Sequence, residues 1–485
     1  MKKKMKFYCV FLIVAMMVMM FSIQTVTATK EATPVIKIGG LGPLSILPGQ
    51  DMKRAMELAI SDVNSNGGVT VAGTNYNLEG DYQTTSGADG LPDSTVAGTS
   101  LTTLKGDGVV AVIGGFRTEV AISLQSQLGQ LPFLGVGSTA PIITPYFWRV
   151  GPTNGTNLAT CLLSFFQFYM YKGLGVKNIT IVREQADWSL AISNAIKYVF
   201  ATAFASDNVT FSADIPISTS ASQDSVTASL KTVPSNTNAI LELFSAPVGQ
   251  YVTQAWAALN MTQFLAGINV QAQLSTYFQD TAGAAYGEIE LETTNPSTTR
   301  PQAVAFRNEF YSKYSLEPTY TAYASYDAVN ILVQALEKSS SPTSAQIQSN
   351  LDSTNYNGTA FTTRFTNELG PQYGVNSSGM TAPVPGVNYT QKITVHDLYT
   401  PENITMGGGI YPNPVMVQWQ KGGVKKEIYS NLPDFLSVKL DGLQWPINHS
   451  DNGYTTSAKS SPGFEFFAVF VTLGTVIAYK KYKKV

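Results

Sequence analysis

The sequence has few residues of the kinds that most enzymes use for nucleophilic or metal-assisted catalysis. Its 485 residues include two histidines, His396 and His449, and two cysteines, Cys9 and Cys161. No Ser/His/Asp order, no His/Cys metal spacing and no nucleophile elbow is present. We therefore predict that the protein is not an enzyme and that it binds no metal or cofactor. Catalysis by paired carboxylates is the enzymatic alternative that stays open.

Charged residues are also scarce. They make up 13% of the chain, against a usual share of about 25%, and serine, threonine, asparagine and glycine take their place. The formal net charge of -2 gives no electrostatic case for binding nucleic acid. Asn-X-Ser/Thr sequons favour an exported, glycosylated protein. They begin at Asn154, Asn178, Asn208, Asn260, Asn357, Asn376, Asn388, Asn403 and Asn448.

The N-terminus has the pattern of a secretory signal peptide. Lysines within residues 2–6 precede an apolar run from Phe7 to Ile23, and small residues follow up to Ala28. This order predicts that residues 1–28 are a cleaved signal, and an uncleaved N-terminal anchor is the alternative. Cys161 is then the single cysteine of the mature chain, which excludes an internal disulfide and predicts a small core residue.

The C-terminus has the pattern of a membrane anchor. Pro462, Gly463 and Phe464 open an apolar run that reaches Tyr479, and a basic tail follows. This arrangement resembles the C-terminal sorting signal of archaeal surface proteins, in which the helix is removed and replaced by a lipid. A retained single-span anchor explains residues 462–485 equally well. In both cases the basic tail places the preceding chain on the extracellular face of the membrane, tethered through its C-terminus.

The middle of the chain reads as an α/β protein. About 430 exported residues are too many for one hydrophobic core, so we expect two domains. Strand-like and helix-like runs alternate from Val35 to Ile268, which predicts parallel sheets covered by helices. A second unit of this kind starts after Thr153, with helices near residues 158–171 and 188–204.

Two predicted strands end in small and hydroxylated residues. An apolar run at 109–113 leads through two glycines to Thr118, which we expect to cap the next helix. A second apolar run at 131–136 ends in the sequence Gly-Ser-Thr at 137–139. Backbone N–H groups and hydroxyls at the carboxyl ends of neighbouring strands can hold a carboxylate. We call Thr118 together with residues 137–139 the shelf.

Five motifs in the same order resemble type I periplasmic solute-binding proteins, and within them the leucine/isoleucine/valine-binding branch that feeds ABC importers. The motifs are Val35–Ser45, Val112–Gly115, Leu131–Leu134 with Ser138–Pro141, Arg149–Pro152 and Tyr323–Val329. The resemblance covers about residues 34–370. It implies two doubly wound parallel-sheet lobes that are joined by a three-segment hinge, with the ligand in the cleft between them.

The resemblance also implies how the chain is divided. Residues 34–153 and 287–370 are expected to form the first lobe, and residues 154–286 the second lobe. Residues 371–445 read as a loop-rich insertion followed by the last crossing strand, and residues 446–461 as a polar stalk that precedes the anchor.

A candidate ligand-binding set follows from the same motifs. Thr118 matches the position at which the family places a hydroxyl on the ligand carboxylate, and residues 137–139 match the rest of the shelf. Trp188 takes the place of a cleft tyrosine in the second lobe, and Ser45 is added from the first motif. The full set is Ser45, Arg117, Thr118, Gly137, Ser138, Thr139, Trp188 and Asn269.

Two positions depart from the family pattern. Asn269 stands where branched-chain binders often carry an acid that pairs with the ligand's ammonium. Either Glu184 or Asp187 substitutes for that acid, or the ligand is not a free α-amino acid. Arg117 adds a cation beside the shelf, where it can bind an anion bidentately or be a solvated partner of Glu119.

These observations predict a membrane-tethered, extracytoplasmic solute-binding protein. Its ligand is expected to be an amino acid or a related small carboxylate or amide, delivered to the permease and ATPase subunits of an ABC importer. A ligand-sensing ectodomain of the same fold is the alternative, and it would act through a partner in trans because the short basic tail leaves no room for a signalling domain. A surface-layer or adhesion module is a third interpretation, but it would not need the shelf.

Overall fold

The structure is a computed structural model that describes residues 33–292, 300–370, 393–399, 415–430 and 442–449. The predicted signal peptide and the predicted C-terminal anchor or sorting signal lie outside these ranges, as do most of the loop-rich insertion and of the polar stalk. Among the residues described, no helix combines the length and the apolar character that crossing a membrane requires.

Six strands form the sheet of the first lobe. They are β1 (Val35–Gly42), β2 (Val69–Val71), β3 (Thr74–Thr84), β4 (Val112–Phe116), β5 (Phe133–Gly137) and β6 (Phe147–Arg149). Their order is β2-β3-β1-β4-β5-β6, and all neighbours are parallel except β2 and β3. Strands β4 and β5 are buried along their whole length, as their apolar and glycine residues predict for the centre of a parallel sheet.

Seven strands form the sheet of the second lobe. They are β7 (Asn178–Glu184), β8 (Thr210–Ile217), β9 (Ala239–Phe244), β10 (Phe264–Asn269), β11 (Ile289–Glu292), β17 (Val415–Gln420) and β18 (Val424–Ser430). Their order is β18-β17-β11-β10-β9-β7-β8, in which β17 pairs with β11 and β18 in antiparallel fashion. The other neighbours are parallel.

Helices pack on both faces of each sheet. Those that follow the strands directly are α1 (Leu47–Ser65), α2 (Ser94–Gly106), α3 (Thr118–Gln125), α4 (Gly155–Ser164), α5 (Asp187–Thr202), α6 (Gln223–Leu230), α7 (Val248–Ala258) and the short α8 (Tyr277–Asp280). Three more helices, α9 (Pro301–Tyr314), α10 (Tyr320–Glu337) and α11 (Ser344–Leu351), return to the first lobe. Two separate hydrophobic cores therefore flank each sheet, which confirms the predicted doubly wound α/β fold.

The helix that we predicted at 158–171 is not regular throughout. It begins as α4 and continues as a π-helix, Phe165–Gly173. Three aromatic side chains of this segment, Phe165, Phe166 and Tyr169, enter the main core of the second lobe. Cys161 lies in the same core and is 4% exposed, in agreement with its predicted structural role.

The chain crosses between the lobes three times. It passes from β6 to α4, from β11 to α9, and from short strands on the first lobe to β17. These short strands are β12 (Tyr356–Asn357), β13 (Thr362–Phe365), β14 (Glu368–Gly370), β15 (Ile393–Val395) and β16 (Leu398–Tyr399). Three crossings are what the predicted three-segment hinge requires.

One predicted boundary is wrong. We expected residues 287–370 to belong to the first lobe, but β11 pairs with β10 and β17 inside the second sheet. Ile289 and Leu291 supply buried side chains to the core of the second lobe, which fixes this strand there. The return to the first lobe therefore starts after Glu292.

Candidate functional site

A cavity of about 540 Å³ lies between the two lobes, where strands of both sheets end. Apolar side chains dominate its wall, and hydroxyl, amide and guanidinium groups complete it. The lining residues are Phe116, Arg117, Thr118, Gly137, Ser138, Thr139, Pro152, Leu158, Trp188, Ser245, Ile268, Val270, Gln273, Leu291 and Tyr320. A concave, mostly apolar site with a few polar groups is the usual form of a small-molecule pocket.

The structure brings the four shelf residues together on one wall of this cavity. The hydroxyl oxygens of Thr118 and Thr139 lie 3.4 Å apart, although 21 residues separate them in the chain. The hydroxyl of Ser138 instead accepts a hydrogen bond from the backbone N–H of Ala140 at 3.0 Å. Thr118 and Thr139 are thus the two shelf hydroxyls that are placed side by side at the cavity.

Thr118 does not cap its helix as we predicted. It is the first residue of α3, and Arg117 occupies the N-cap position without a side-chain capping bond. The hydroxyl of Thr118 is therefore oriented toward Thr139 rather than toward the first turn of the helix.

Gly137 is needed at the end of β5 because of close packing. A Cβ atom at this position would lie 2.5 Å from Cε of Met52 and 2.9 Å from the carbonyl oxygen of Gly115. The second contact is with backbone, which cannot move aside as a flexible side chain can. A larger residue would therefore push apart the two strand ends that form the shelf.

Arg117 is held in an unusual conformation at the edge of the shelf. It is 7% exposed, and its φ of +69° lies in a region that costs a non-glycine residue about 1–3 kcal/mol. Its Nη1 atom lies 3.9 Å from Oε1 of Glu119, and its Nη2 atom lies 3.7 Å from Oε1 of Glu184. Among the described residues, neither Nε nor Nη2 has a hydrogen-bond partner. The guanidinium thus retains donors for an anion, and its burial argues against a solvated surface arginine.

Glu184 is fully buried and already bound by several donors of the second lobe. Trp188 Nε1 donates to its Oε1 at 2.6 Å. The backbone N–H groups of Ser245 and Ala246 donate to its Oε2 at 2.9 and 2.8 Å, and the Ser245 hydroxyl donates to Oε1. This carboxylate therefore fixes Trp188 in the cavity wall and faces Arg117, rather than being free for a ligand's ammonium. Asp187, the other acid that we considered, is exposed at the start of α5.

Asn269 does not line the cavity, which corrects our assignment of it to the ligand set. Its neighbours Ile268 and Val270 face the cavity, so the alternation of side chains along a strand turns Asn269 the other way. Its Nδ2 atom donates to Tyr277 Oη at 3.0 Å and to Glu288 Oε1 at 3.1 Å. The amide thus belongs to a polar cluster behind the strand.

That cluster contains three fully buried glutamates. Oxygen atoms of Glu242, Glu288 and Glu290 lie within 4.8 Å of one another, a spacing that could hold a metal ion. Burial raises the pKa of all three carboxyl groups, and it raises the pKa of Glu288 to about 8. Glu242 and Glu288 also share a hydrogen bond. Without a cation, burial therefore favours the protonated forms of these carboxyl groups, and Glu242 and Glu288 can share a proton.

Ser45 is also outside the cavity, so this candidate is corrected too. Its exposed hydroxyl lies 2.6 Å from the hydroxyl of Ser86 and donates to the carbonyl of Gly90 at 2.5 Å. These contacts join the loop after β1 to the loop after β3, which is a structural role.

Several lining residues were not predicted. Ser245 directly follows the end of β9, so the rule that selected the shelf would have found it too. Tyr320 begins α10 and reaches the cavity from the returning segment, whereas the hydroxyl of Tyr326 donates to Asp62 within the first lobe. Gln273 and Tyr320 also line a second, charged cavity of about 730 Å³ beside the first.

Comparison with known proteins identifies what this chain is similar to. Residues 35–376 match the model of a family described as periplasmic binding protein. A Leu/Ile/Val-binding protein homolog 8 of Brucella suis biovar 1 is 27% identical over 136 residues. That match covers 26% of this chain and spans 32% of the relative, so less than a third of the relative's length is compared.

Solved structures share the fold. The leucine-binding protein LivK of Thermotoga maritima has a TM-score of 0.60 and 17% identity, over 82% of this chain and 99% of that chain. The isoleucine complex of LivJ from Streptococcus pneumoniae has a TM-score of 0.57 and 18% identity, over 68% of this chain and 92% of that chain. A solute-binding protein of an ABC transporter from R. palustris, in complex with benzoate, has a TM-score of 0.59 and 14% identity, over 82% of this chain and 97% of that chain. Identities this low establish the fold and not the ligand.

Proposed function

Because the chain belongs to the periplasmic binding protein family, we propose that it captures a small carboxylate between its two lobes and delivers it to the permease and ATPase subunits of an ABC importer. The family consists of binding proteins and not enzymes, as the scarcity of catalytic residues predicted, and the solved neighbours include a transporter substrate-binding protein and a solute-binding protein of an ABC transporter.

The buried guanidinium of Arg117 is the observation that supports a carboxylate ligand. The guanidinium of Arg117 is buried beside the hydroxyls of Thr118 and Thr139, and two of its nitrogens have no hydrogen-bond partner among the described residues. A buried donor without a partner is costly, and a planar carboxylate matches the fork of a guanidinium. A ligand carboxylate placed between Arg117 and the two hydroxyls would satisfy these groups together.

The rest of the cavity supports a ligand with an apolar body. Leu158, Trp188, Ile268 and Leu291 bring apolar surface to the wall opposite the shelf. No aspartate or glutamate is among the residues that line this cavity in the described part of the chain. A ligand ammonium would therefore be desolvated without a direct counter-charge, which disfavours it. We infer a site that favours apolar carboxylates without an amino group, and that binds free amino acids and the related amides more weakly.

The sequence supports a membrane tether. The apolar run and basic tail within residues 462–485 follow a polar stalk, and they would hold the two lobes at the extracellular face. An anchored binding protein stays near its importer and needs no periplasm to retain it.

A thermal-shift panel tests the ligand class. The full chain, purified in mild detergent, is heated with leucine, isoleucine, valine, their amides, benzoate and short aliphatic carboxylates. Binding raises the melting temperature by mass action, so carboxylates should stabilise the chain and the matched neutral amides should stabilise it less. Stabilisation by amides equal to that by their carboxylates would contradict the proposed role of Arg117. Delivery is tested separately, by co-purification of the chain with permease and ATPase subunits encoded beside it.

A further inference from the structure

Arg149 lies behind the shelf and holds its backbone in place. The residue is fully buried, and its Nη1 and Nη2 atoms donate to the carbonyl oxygens of Ser138 and Ala140. These two carbonyls flank Thr139, whose hydroxyl lines the cavity. The position of the Thr139 hydroxyl therefore depends on where the Arg149 guanidinium is held.

The guanidinium is held by Asp397, which follows Arg149 by 248 residues in the chain. Nε of Arg149 donates to Oδ1 of Asp397 at 2.7 Å, and both side chains are 0% exposed. Asn154 Nδ2 donates to Oδ2 of Asp397 at 3.2 Å, and the backbone N–H of Leu398 donates to Oδ1 at 2.8 Å. The carboxylate is thus fixed on both oxygens and does not swing with its partner.

The segment around Asp397 is itself anchored against the edge of the first sheet. The backbone N–H of Arg149 donates to the carbonyl of His396 at 3.0 Å, which places this segment alongside β6. The ring of His396 stacks on Trp148 with 4.5 Å between ring centres. Val395 is fully buried in a core of the first lobe. Three different kinds of contact therefore fix the backbone from which Asp397 extends.

We propose that Asp397 is a positioning residue for ligand binding, acting through Arg149 on the shelf. The inference rests on the proposed carboxylate site and adds a residue that does not touch the ligand. A buried arginine without its counter-charge is strongly unfavourable. Without Asp397, Arg149 would turn toward water or another acceptor and release the carbonyls of Ser138 and Ala140.

Asp397 lies outside the part of the chain that matches the family model, residues 35–376. From the sequence we expected this region to be part of a loop-rich insertion within residues 371–445. The contacts instead make residues 393–399 part of the support of the ligand site.

The test measures binding by the full chain in mild detergent. The best-binding of isoleucine, leucine and benzoate serves as the probe, and its dissociation constant is measured by calorimetry. Asp397→Asn keeps the shape but removes the charge, and should weaken binding about tenfold or more. Asp327→Asn is the matched control. It replaces another buried aspartate of the first lobe, which is bound by Thr359 and is not among the residues that line the cavity, and should change binding less than about twofold.

A double-mutant cycle separates positioning from a general loss of stability. If Asp397 acts through the shelf, Thr139→Val should cost much less in the Asp397→Asn chain than in the wild type. In the Asp327→Asn chain it should cost the same as in the wild type. Equal costs of Thr139→Val in all three backgrounds would overturn the proposal.

A second variant covers the case in which Asp397→Asn does not fold. Arg149→Lys keeps the charge pair with Asp397, but its single ammonium cannot hold both carbonyls in the fork geometry. This chain should fold and should still bind the probe at least about tenfold more weakly than the wild type. A folded Arg149→Lys or Asp397→Asn chain with wild-type affinity overturns the positioning role alone. Failure of the wild type to bind any of the three probes overturns the carboxylate site and this proposal with it.

Discussion

The Nη2 atom of Arg117 on the first lobe lies 3.7 Å from Oε1 of Glu184 on the second lobe. Glu184 is held by its own lobe through Trp188, Ser245 and Ala246, so the carboxylate cannot follow the arginine if the lobes separate. The attraction between the two charges is therefore available only when the lobes are close. A ligand that binds Arg117 and also contacts Trp188 would further stabilise this closed state, because it would bind the closed state more tightly than the open one.

Replacing Arg117 by glutamine should weaken binding of a carboxylate ligand by about 1.5–3 kcal/mol, the usual value of hydrogen bonds to charged groups. Glu184 keeps its four other donors, so the fold should be little affected. Calorimetric titration measures the change. Arg183→Gln, which removes an arginine of β7 that pairs with Asp214 on β8, is the control. An Arg117→Gln chain with unchanged affinity would remove the main support for a carboxylate site.

Thr118→Val and Thr139→Val should each cost about 1.5–3 kcal/mol of binding, because each replaces a shelf hydroxyl by a methyl group of similar size. The two hydroxyls lie 3.4 Å apart and would meet the same carboxylate, so their effects should not be additive. Titrations of the two single variants and the double variant measure this. Thr202→Val, at an exposed position at the end of α5, should leave the affinity unchanged.

Tryptophan fluorescence should report binding through Trp188, the tryptophan that lines the cavity among the five in the sequence. A ligand that displaces water from this ring should shift its emission to shorter wavelength. Trp188→Phe should abolish the shift, whereas Trp256→Phe, at a buried position of the second lobe, should preserve it. A shift that persists in Trp188→Phe would mean that the ligand lies elsewhere.

The free energy of unfolding should fall as the pH rises from about 4.5 to about 8. The pKa of Glu288 is raised from an ordinary 4.5 to about 8 by burial, so the folded state binds more protons than the unfolded state within this window. Stability is therefore highest below the unfolded value and declines toward the folded value, by an amount on the order of a few kcal/mol. Denaturant titrations at several pH values measure the decline.

Glu288→Gln should reduce this dependence and raise the free energy of unfolding at pH ~8, since a neutral amide needs no proton there, while the other buried carboxyl groups keep their share of the slope. Glu79→Gln, at an exposed position on β3, should leave the slope as it is in the wild type. A wild-type chain that is equally stable at both ends of the window would show that the buried cluster does not retain its protons.

The sequence predicted those parts of the fold that depend on local pattern. Strands β4 and β5, Val112–Phe116 and Phe133–Gly137, overlap the apolar runs that we noted at 109–113 and 131–136. The shelf was found as well, because the carboxyl ends of neighbouring parallel strands meet at one edge of a sheet whatever the details of packing.

The predictions that failed depend on the direction in which a side chain points and on contacts between residues that are distant in the sequence. Asn269 is the last residue of its strand, and its neighbours on either side face the cavity in its place. A shift of one residue in the register of the strand would have turned Asn269 toward the cavity, and no local sequence pattern fixes that register. The roles of Glu184 and Asp397 depend on partners that lie 67 and 248 positions away, at Arg117 and Arg149.

The separation of Arg149 and Asp397 also sets the order in which the ligand site can be completed. All strands of the first sheet have been synthesised once Arg149 has emerged, yet the counter-charge for its guanidinium comes 248 residues later. A contact of such long range closes slowly compared with the local pairing of strands. The first lobe should therefore exist for a time as a formed sheet with an unfinished shelf, unable to retain ligand until the segment at residues 393–399 has docked against β6. In a nascent or truncated chain that ends before this segment, Arg149 would lack its counter-charge. Such a chain would be locally unfolded around the shelf, and quality-control proteases could cleave it there.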